Sequence, residues 1–227
     1  MNGSPAPSIP KLVIFDCDGV LVDSEPIAAR VTAQMMTELG IPTSVEEVRT
    51  LFLGDTLANV VRGIEQRAPK PPPPGWVETM ESRLWDEFRR SLQPVSGAPE
   101  AVDRVLAAGI AACVASQGAP EKMQVSLGVT GLLPRFPGRV FSARMVARPK
   151  PFPDLFLYAA AELGVHPAET VVVEDSAFGV RAAVAAGMRV LGYSASVGPR
   201  KLADAGAEVF DSLHDLPRLL GLDPTSP

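Results

Sequence analysis

Lys11-Leu12-Val13-Ile14-Phe15-Asp16-Cys17-Asp18-Gly19-Val20-Leu21-Val22-Asp23-Ser24-Glu25 is the stretch from which the rest of the chain can be read. Leu12 to Phe15 form an unbroken apolar run, the signature of a parallel strand buried on both faces, and the run stops at two acids and a glycine. In extended backbone, residues two apart point the same way, so Asp16 and Asp18 share one small volume beyond the strand end. Two carboxylates that close repel unless a cation lies between them or one stays protonated, and either state is useful for handling a phosphate. An acidic turn facing solvent has the same local pattern. An EF-hand does not, because Gly19 comes too early and Ile27 stands where the bidentate acid belongs.

With 46% hydrophobic and 21% charged residues over 227 positions, the chain is expected to be globular and to bury a large core. A formal charge of −5 with no basic run gives no electrostatic reason to expect a nucleic acid or a membrane surface as partner. Cys17 and Cys113 fall in or beside expected buried strands, form no disulfide framework and have no zinc-ligand neighbours, which suits a reducing cytoplasm. No segment approaches the ~18 apolar residues of a membrane span. Residues 1–10 read as a loose polar tail and 222–227 as a short C-terminal one.

Outward from the first strand, Pro26, then Ile27, Val31, Met35 and Leu39, predict a helix closed by Gly40. Ser44 with Glu46 and Glu47 predicts another capped start, and Leu51 to Arg67 a helical pattern broken at Gly54. Ala68 to Gly75 predicts a stiff connector. Trp76 to Leu92 resumes helical spacing with Trp76, Met80, Leu84 and Phe88 on one side, read as core. From Pro94 the pattern alternates: helix 98–108, strand 110–115, helix 119–127, a weaker strand 139–142, helix 152–163, strand 170–173, helix 177–186 capped by Ser176, strand 189–193, then short elements to Leu220. This implies an α/β fold, a Rossmann-like parallel sheet core (11–23 and 93–221) with an inserted α-helical cap (24–92).

Open parallel sheets bind ligands beyond the carboxyl ends of their strands. Where the apolar runs stop stand Asp16 and Asp18, Ser116, and Glu174 and Asp175, with Lys150 in the loop after the weak strand. Acids, a hydroxyl and an ammonium so distributed suit a phosphate bound with Mg2+, an ion that takes about six hard oxygens, some from the substrate.

Asp16-Cys17-Asp18-Gly19-Val20-Leu21-Val22-Asp23-Ser24-Glu25, Val114-Ala115-Ser116, Lys150-Pro151-Phe152-Pro153-Asp154-Leu155-Phe156 and Val173-Glu174-Asp175-Ser176-Ala177-Phe178-Gly179-Val180 resemble the four ordered motifs of the haloacid dehalogenase-like superfamily. They are most similar to its capped phosphatase and β-phosphoglucomutase branch. The resemblance implies Asp16 as nucleophile forming an aspartyl phosphate, Asp18 as acid and base, Ser116 and Lys150 as phosphate ligands, and Asp16, Asp18, Glu174 and Asp175 around Mg2+. Turn N–H groups at Cys17-Asp18 and Gln117-Gly118 would be further donors.

A phosphatase, a phosphomutase and a non-catalytic phosphate-binding protein are the three classes to separate. Halide-removing relatives use no metal and lack the second acid. Against a mutase, Ala28 stands where those enzymes place a histidine and Leu57 where they place an arginine. The segment from Ser116 through Met123, with Gln117 in place of the more usual asparagine, and the segment from Phe136 to Ser142 resemble bacterial sugar-acid phosphatases, those acting on 6-phosphogluconate among them. The expectation is a Mg2+-dependent phosphatase of a small phosphorylated metabolite, a sugar or sugar-acid phosphate, working as a monomer or weak homo-oligomer. Glu25, Arg49 and Arg62 are cap candidates for substrate contact; His166 and His214 have no expected role.

Overall fold

Residues 9–52, 57–195 and 198–222 are described by the structure, a computed structural model. The expected helix break at Gly54 and most of the two expected tails lie outside these residues. β1 (Leu12–Phe15), β2 (Ala111–Ser116), β3 (Val140–Ser142), β4 (Thr170–Glu174), β5 (Arg189–Tyr193) and β6 (Glu208–Phe210) form one parallel sheet in the order β3-β2-β1-β4-β5-β6. Ile14 is level with Cys113 on one side and Val172 on the other. The chain winds outward from β1 to β3, then crosses back to β4, so the strand order reverses between β1 and β4, where α/β sheets open a ligand crevice.

Each parallel step needs a crossover, and the crossovers cover both faces of the sheet. Side chains alternate accordingly. Val13, Phe15, Val114 and Val173 join one apolar cluster with α5 (Ala98–Ala107), α6 (Pro120–Val129) and α10 (Leu216–Leu219). Leu12, Ile14, Cys113 and Val172 join the other with α7 (Asp154–Glu162), α8 (Ala177–Ala185) and α9 (Pro199–Ala205). Cys17 and Cys113 are both free and buried. Among the described residues no helix is long and apolar enough to cross a membrane.

Between β1 and α5 the chain makes α1 (Glu25–Glu38), α2 (Val45–Phe52), α3 (Leu57–Glu65) and α4 (Trp76–Ser91). Its exit and return run side by side: Asp23 N–H donates to Gln93 O at 3.0 Å and Val95 N–H to Leu21 O at 3.0 Å. α2 starts on the expected cap, a reciprocal box in which Glu47 N–H donates to Ser44 Oγ (3.2 Å) and Ser44 N–H to a Glu47 carboxylate oxygen (2.7 Å). On α1, Ile27, Val31 and Met35 are buried at the expected spacing, and α4 packs against both α1 and α6, joining the helical segment to the sheet layer. α7 begins two residues later than expected, after Pro153, where Arg148 grips Asp154 with two bonds of 3.0 and 2.9 Å.

Ile14 is fully buried at the centre of the sheet. Ile14→Ala is expected to lower the unfolding free energy by roughly 2–5 kcal/mol, read from chemical denaturation.

Candidate active site

The carboxyl ends of β1, β2 and β4, with the loop after β3, meet at one rim. Asp16 N–H still donates to Val173 O at 3.0 Å, so the pairing of β1 with β4 carries one residue past the strand and fixes where the Asp16 side chain starts. The chain then turns at Gly19, whose φ of +75° suits a residue without Cβ, and Ser24 Oγ reaches back to donate to Asp18 Oδ1 at 2.6 Å. At the end of β2, Ser116 Oγ accepts from Gly118 N–H (3.2 Å), while Ser142 at the end of β3 donates to Gly118 O (2.7 Å). Two neighbouring strands thus pin the Ser116–Gly118 turn. The Gly118 N–H expected as a phosphate donor is already bonded to Ser116, whose own hydroxyl proton is left to donate.

Lys150 is buried with its ammonium 2.6 Å from Asp16 Oδ1 and 2.5 Å from Glu174 Oε1, and 4.8 Å from the Phe156 ring centroid. Glu174 spends its other oxygen on Ser176, accepting from both the N–H and the hydroxyl at 2.9 Å. Ser176 Oγ in turn accepts from Gly179 N–H at 3.0 Å, capping α8 as expected. The helix start presses so closely on Glu174 that a Cβ on Gly179 would fall 1.8 Å from Glu174 Oε1. Gly179, quoted in a motif but given no role from sequence, is what allows this approach.

Burial pushes the Asp16 carboxyl up to about 7, Lys150 pulling it back down while the charges of Glu174 and Asp18 add to the rise. Asp175 is also raised well above the usual carboxylate range, by burial first and then by Glu174, Asp16 and Glu25. Burial acts on Asp18 in the same sense, but Lys122, with Nζ 2.7 Å from Asp18 Oδ2, and the Ser24 hydroxyl together hold it below its ordinary value. For Lys150, burial alone would lower the pKa; the Asp16 and Glu174 carboxylates outweigh it and raise it.

A cavity of about 390 Å3 opens between this rim and the helical segment and is lined by every expected site residue: Asp16, Asp18, Ser116, Gln117, Lys150, Glu174 and Asp175. Of the cap candidates, Glu25 lines it. Arg49 lines a separate small cleft beside Glu25, and Arg62 is exposed and lines neither. Met80, Leu84 and Phe88, read from periodicity as core, also form cavity wall, together with Trp85. Lys122 went unassigned in sequence, because a lysine in the first turn of a helix looks like a solvated charge until the fold brings it to Asp18 across 104 positions.

Whether Mg2+ suits this rim turns on which oxygens remain uncommitted. Among the described residues no three His, Cys, Asp or Glu side chains gather into a ready-made cage. The Glu174 carboxylate is engaged by Lys150 and Ser176, and that of Asp18 by Ser24 and Lys122; the expectation gave Asp18 a place on the metal through its main-chain carbonyl and Glu174 one directly or through water. Asp16 Oδ2 and the buried Asp175 carboxylate accept no hydrogen bond from any described residue. Two hard, raised-pKa carboxylates fit an ion that takes one or two protein carboxylates and fills its shell with water and substrate phosphate.

A carboxylate held against a buried ammonium at the carboxyl end of a parallel sheet is the chemistry of hydrolases that attack through an aspartate. Comparison with known proteins gives the family: the haloacid dehalogenase-like hydrolase model matches residues 13–193, and the chain belongs to that family. It is 32% identical over 211 residues to the 6-phosphogluconate phosphatase of Escherichia coli (strain K12), covering 91% of this chain and 93% of that one. A conserved haloacid dehalogenase-like protein from Agrobacterium tumefaciens str. C58 superposes with a TM-score of 0.80 at 38% identity, covering 93% of this chain and 97% of the other. A family hydrolase from Deinococcus radiodurans R1, solved with bound phosphate and sodium, superposes with a TM-score of 0.81 at 30% identity, covering 97% and 100%.

Gly179→Ala is expected to keep the fold but push the Glu174 carboxylate, and Lys150 with it, out of place. A shift of about 1 Å costs on the order of 10²-fold in turnover. Circular dichroism checks folding, and phosphate release from an aryl phosphate checks the loss.

Proposed function

We propose that the chain is a Mg2+-dependent phosphatase that hydrolyses a small phosphorylated sugar or sugar acid through an aspartyl phosphate on Asp16. The observation that carries this reading is the buried Lys150 ammonium 2.6 Å from Asp16 Oδ1, which leaves Oδ2 of the same carboxylate to attack. The relatives support it: one is a phosphatase of a phosphorylated sugar acid, and another was solved with phosphate bound.

In the first step Asp16 Oδ2 forms a bond to phosphorus, the ester P–O bond breaks, and Asp18 gives its proton to the departing alkoxide. In the second, water attacks phosphorus, Asp18 takes the water's proton, and the Asp16–phosphorus bond breaks to release phosphate. Ser116 O–H and Lys150 hold the phosphoryl oxygens, and Lys150 screens Asp16 from their charge. Asp16 and Asp175, with Asp18 and Glu174 beside them, would hold Mg2+, which when bound would neutralise the phosphoryl charge. Positioning and charge together must supply about 20 kcal/mol or more, since phosphate monoesters are among the slowest esters to hydrolyse unaided.

Lys122 adjusts Asp18 between its two roles. While the ammonium bonds Oδ2, Asp18 stays ionised, the form that takes a proton from water. Burial pulls the other way, toward the protonated form the alkoxide needs.

The segment 24–92 serves as the cap that excludes water in the first step and meets the leaving group. Ala28 and Leu57, at the two positions where a mutase is expected to carry basic groups, both line the cavity. Water as the acceptor is favoured for that reason.

Asp16→Asn, or chelation of divalent cations, is expected to lower turnover of an aryl phosphate by about 10³-fold or more; unchanged turnover in Asp16→Asn would remove the nucleophile. Lys122→Met frees Asp18 to follow its burial, so the acidic limb of the kcat profile is expected to move to higher pH. A limb that stays put would assign Lys122 no part in setting Asp18.

A further inference from the structure

The helical wall of the cavity is chemically lopsided. It is built from Ala28, Leu57, Val60, Leu84, Trp85 and their apolar neighbours, and its charged members are two acids, Glu25 and Glu81. All eight Lys and Arg residues between Glu25 and Leu92 are among the described residues, and none lines the cavity. Several are bound on the outside: Arg83 lies 2.7 Å from Glu38, Arg30 3.5 Å from Glu87 and Arg90 2.9 Å from Glu87.

Glu81 is half-buried on α4 and has no ion-pair or hydrogen-bond partner among the described residues. Glu25, half-buried at the start of α1, likewise has no cation within ion-pair distance among them. On the sheet side the cations are committed or peripheral. All three line the cavity, but Lys150 lies between Asp16 and Glu174, Lys122 is on Asp18, and Arg144 is two-thirds exposed and 3.6 Å from Glu121.

From this we infer that the enzyme selects phosphate monoesters whose alcohol carries no second anionic group: a neutral, hydroxyl-rich or amine-bearing leaving group with an apolar face. The inference rests on the phosphatase reading and narrows its substrate class. On the helical wall a distal carboxylate or phosphate would be desolvated against apolar side chains and two acids, with no cation of that wall to meet it, whereas hydroxyl or ammonium donors would pair with Glu25 and Glu81. This sets the chain apart from its relative named for 6-phosphogluconate, whose substrate ends in a carboxylate.

The test compares kcat/KM, with Mg2+ present, for two matched pairs: glucitol 6-phosphate against 6-phosphogluconate, and phenyl phosphate against 4-carboxyphenyl phosphate. The uncharged member of each pair that is turned over is expected to be better by roughly tenfold or more. Glu81→Lys is expected to shrink that ratio about tenfold, and Glu81→Gln to shrink it less; because each is a ratio within one protein, partial loss of folded enzyme does not affect it. Equal or better turnover of the carboxylate members by the unaltered enzyme overturns the inference and leaves the phosphatase reading standing. A ratio unmoved in both Glu81 variants overturns the role of that wall. No Mg2+-dependent phosphate release from any of the four esters overturns the phosphatase reading and the inference together.

Discussion

The structure depends on one buried ammonium shared between two carboxylates. Lys150 leaves the loop after β3 and ends between Asp16 on β1 and Glu174 on β4, tying three chain segments at the point where the strand order reverses. Burying such charges is costly unless geometry and hydrogen bonding are nearly complete, and removing one member of a buried pair costs about 3–5 kcal/mol. The surroundings meet that demand in layers. Ser176 satisfies the outer oxygen of Glu174, Gly179 lets α8 come close enough for it to do so, and the Phe156 ring lies beside the ammonium. What stays unsatisfied is concentrated on Asp16 and Asp175, whose carboxyls are raised by burial. A site of this kind is stable at its base and electrostatically tense at its mouth, where a cation and a phosphoryl group would enter.

Much of this was legible in the residues alone. Apolar runs ending on Asp16, Ser116 and Glu174 located three strands and their functional ends, because a strand buried on both faces has a sharp chemical boundary. Periodicity found the helices to within a residue or two, and Ser44 and Ser176 as caps. It failed where a residue's partner is distant. Lys122 and Asp18 are 104 positions apart and no local pattern links them. Nor does an acid pair at a strand end say which Glu174 oxygen meets the Lys150 ammonium. Only the packing of α8 shows why position 179 is a glycine.

α4 shows a different limit of periodicity. Its stripe of Trp76, Met80, Leu84 and Phe88 was read as core, and Trp76, Met80 and Phe88 are indeed buried. The same helix packs on α1 and α6 and also forms cavity wall through Leu84 and Trp85. An apolar stripe that continues from interior to pocket has one sequence signature for both uses. The difference lies in what faces it: a neighbouring helix at one end, the sheet rim at the other.

At its flanks the sheet narrows. β3 and β6 are three residues each, against six in β2 and five in β4 and β5, and Arg189 clamps Glu208 across the outer pair with bonds of 2.8 and 2.7 Å. A border that short offers a stray strand few free amides and carbonyls to pair with, and charged side chains on it discourage stacking. The architecture therefore ends itself: neither border of the sheet is a long bare template on which another chain could build.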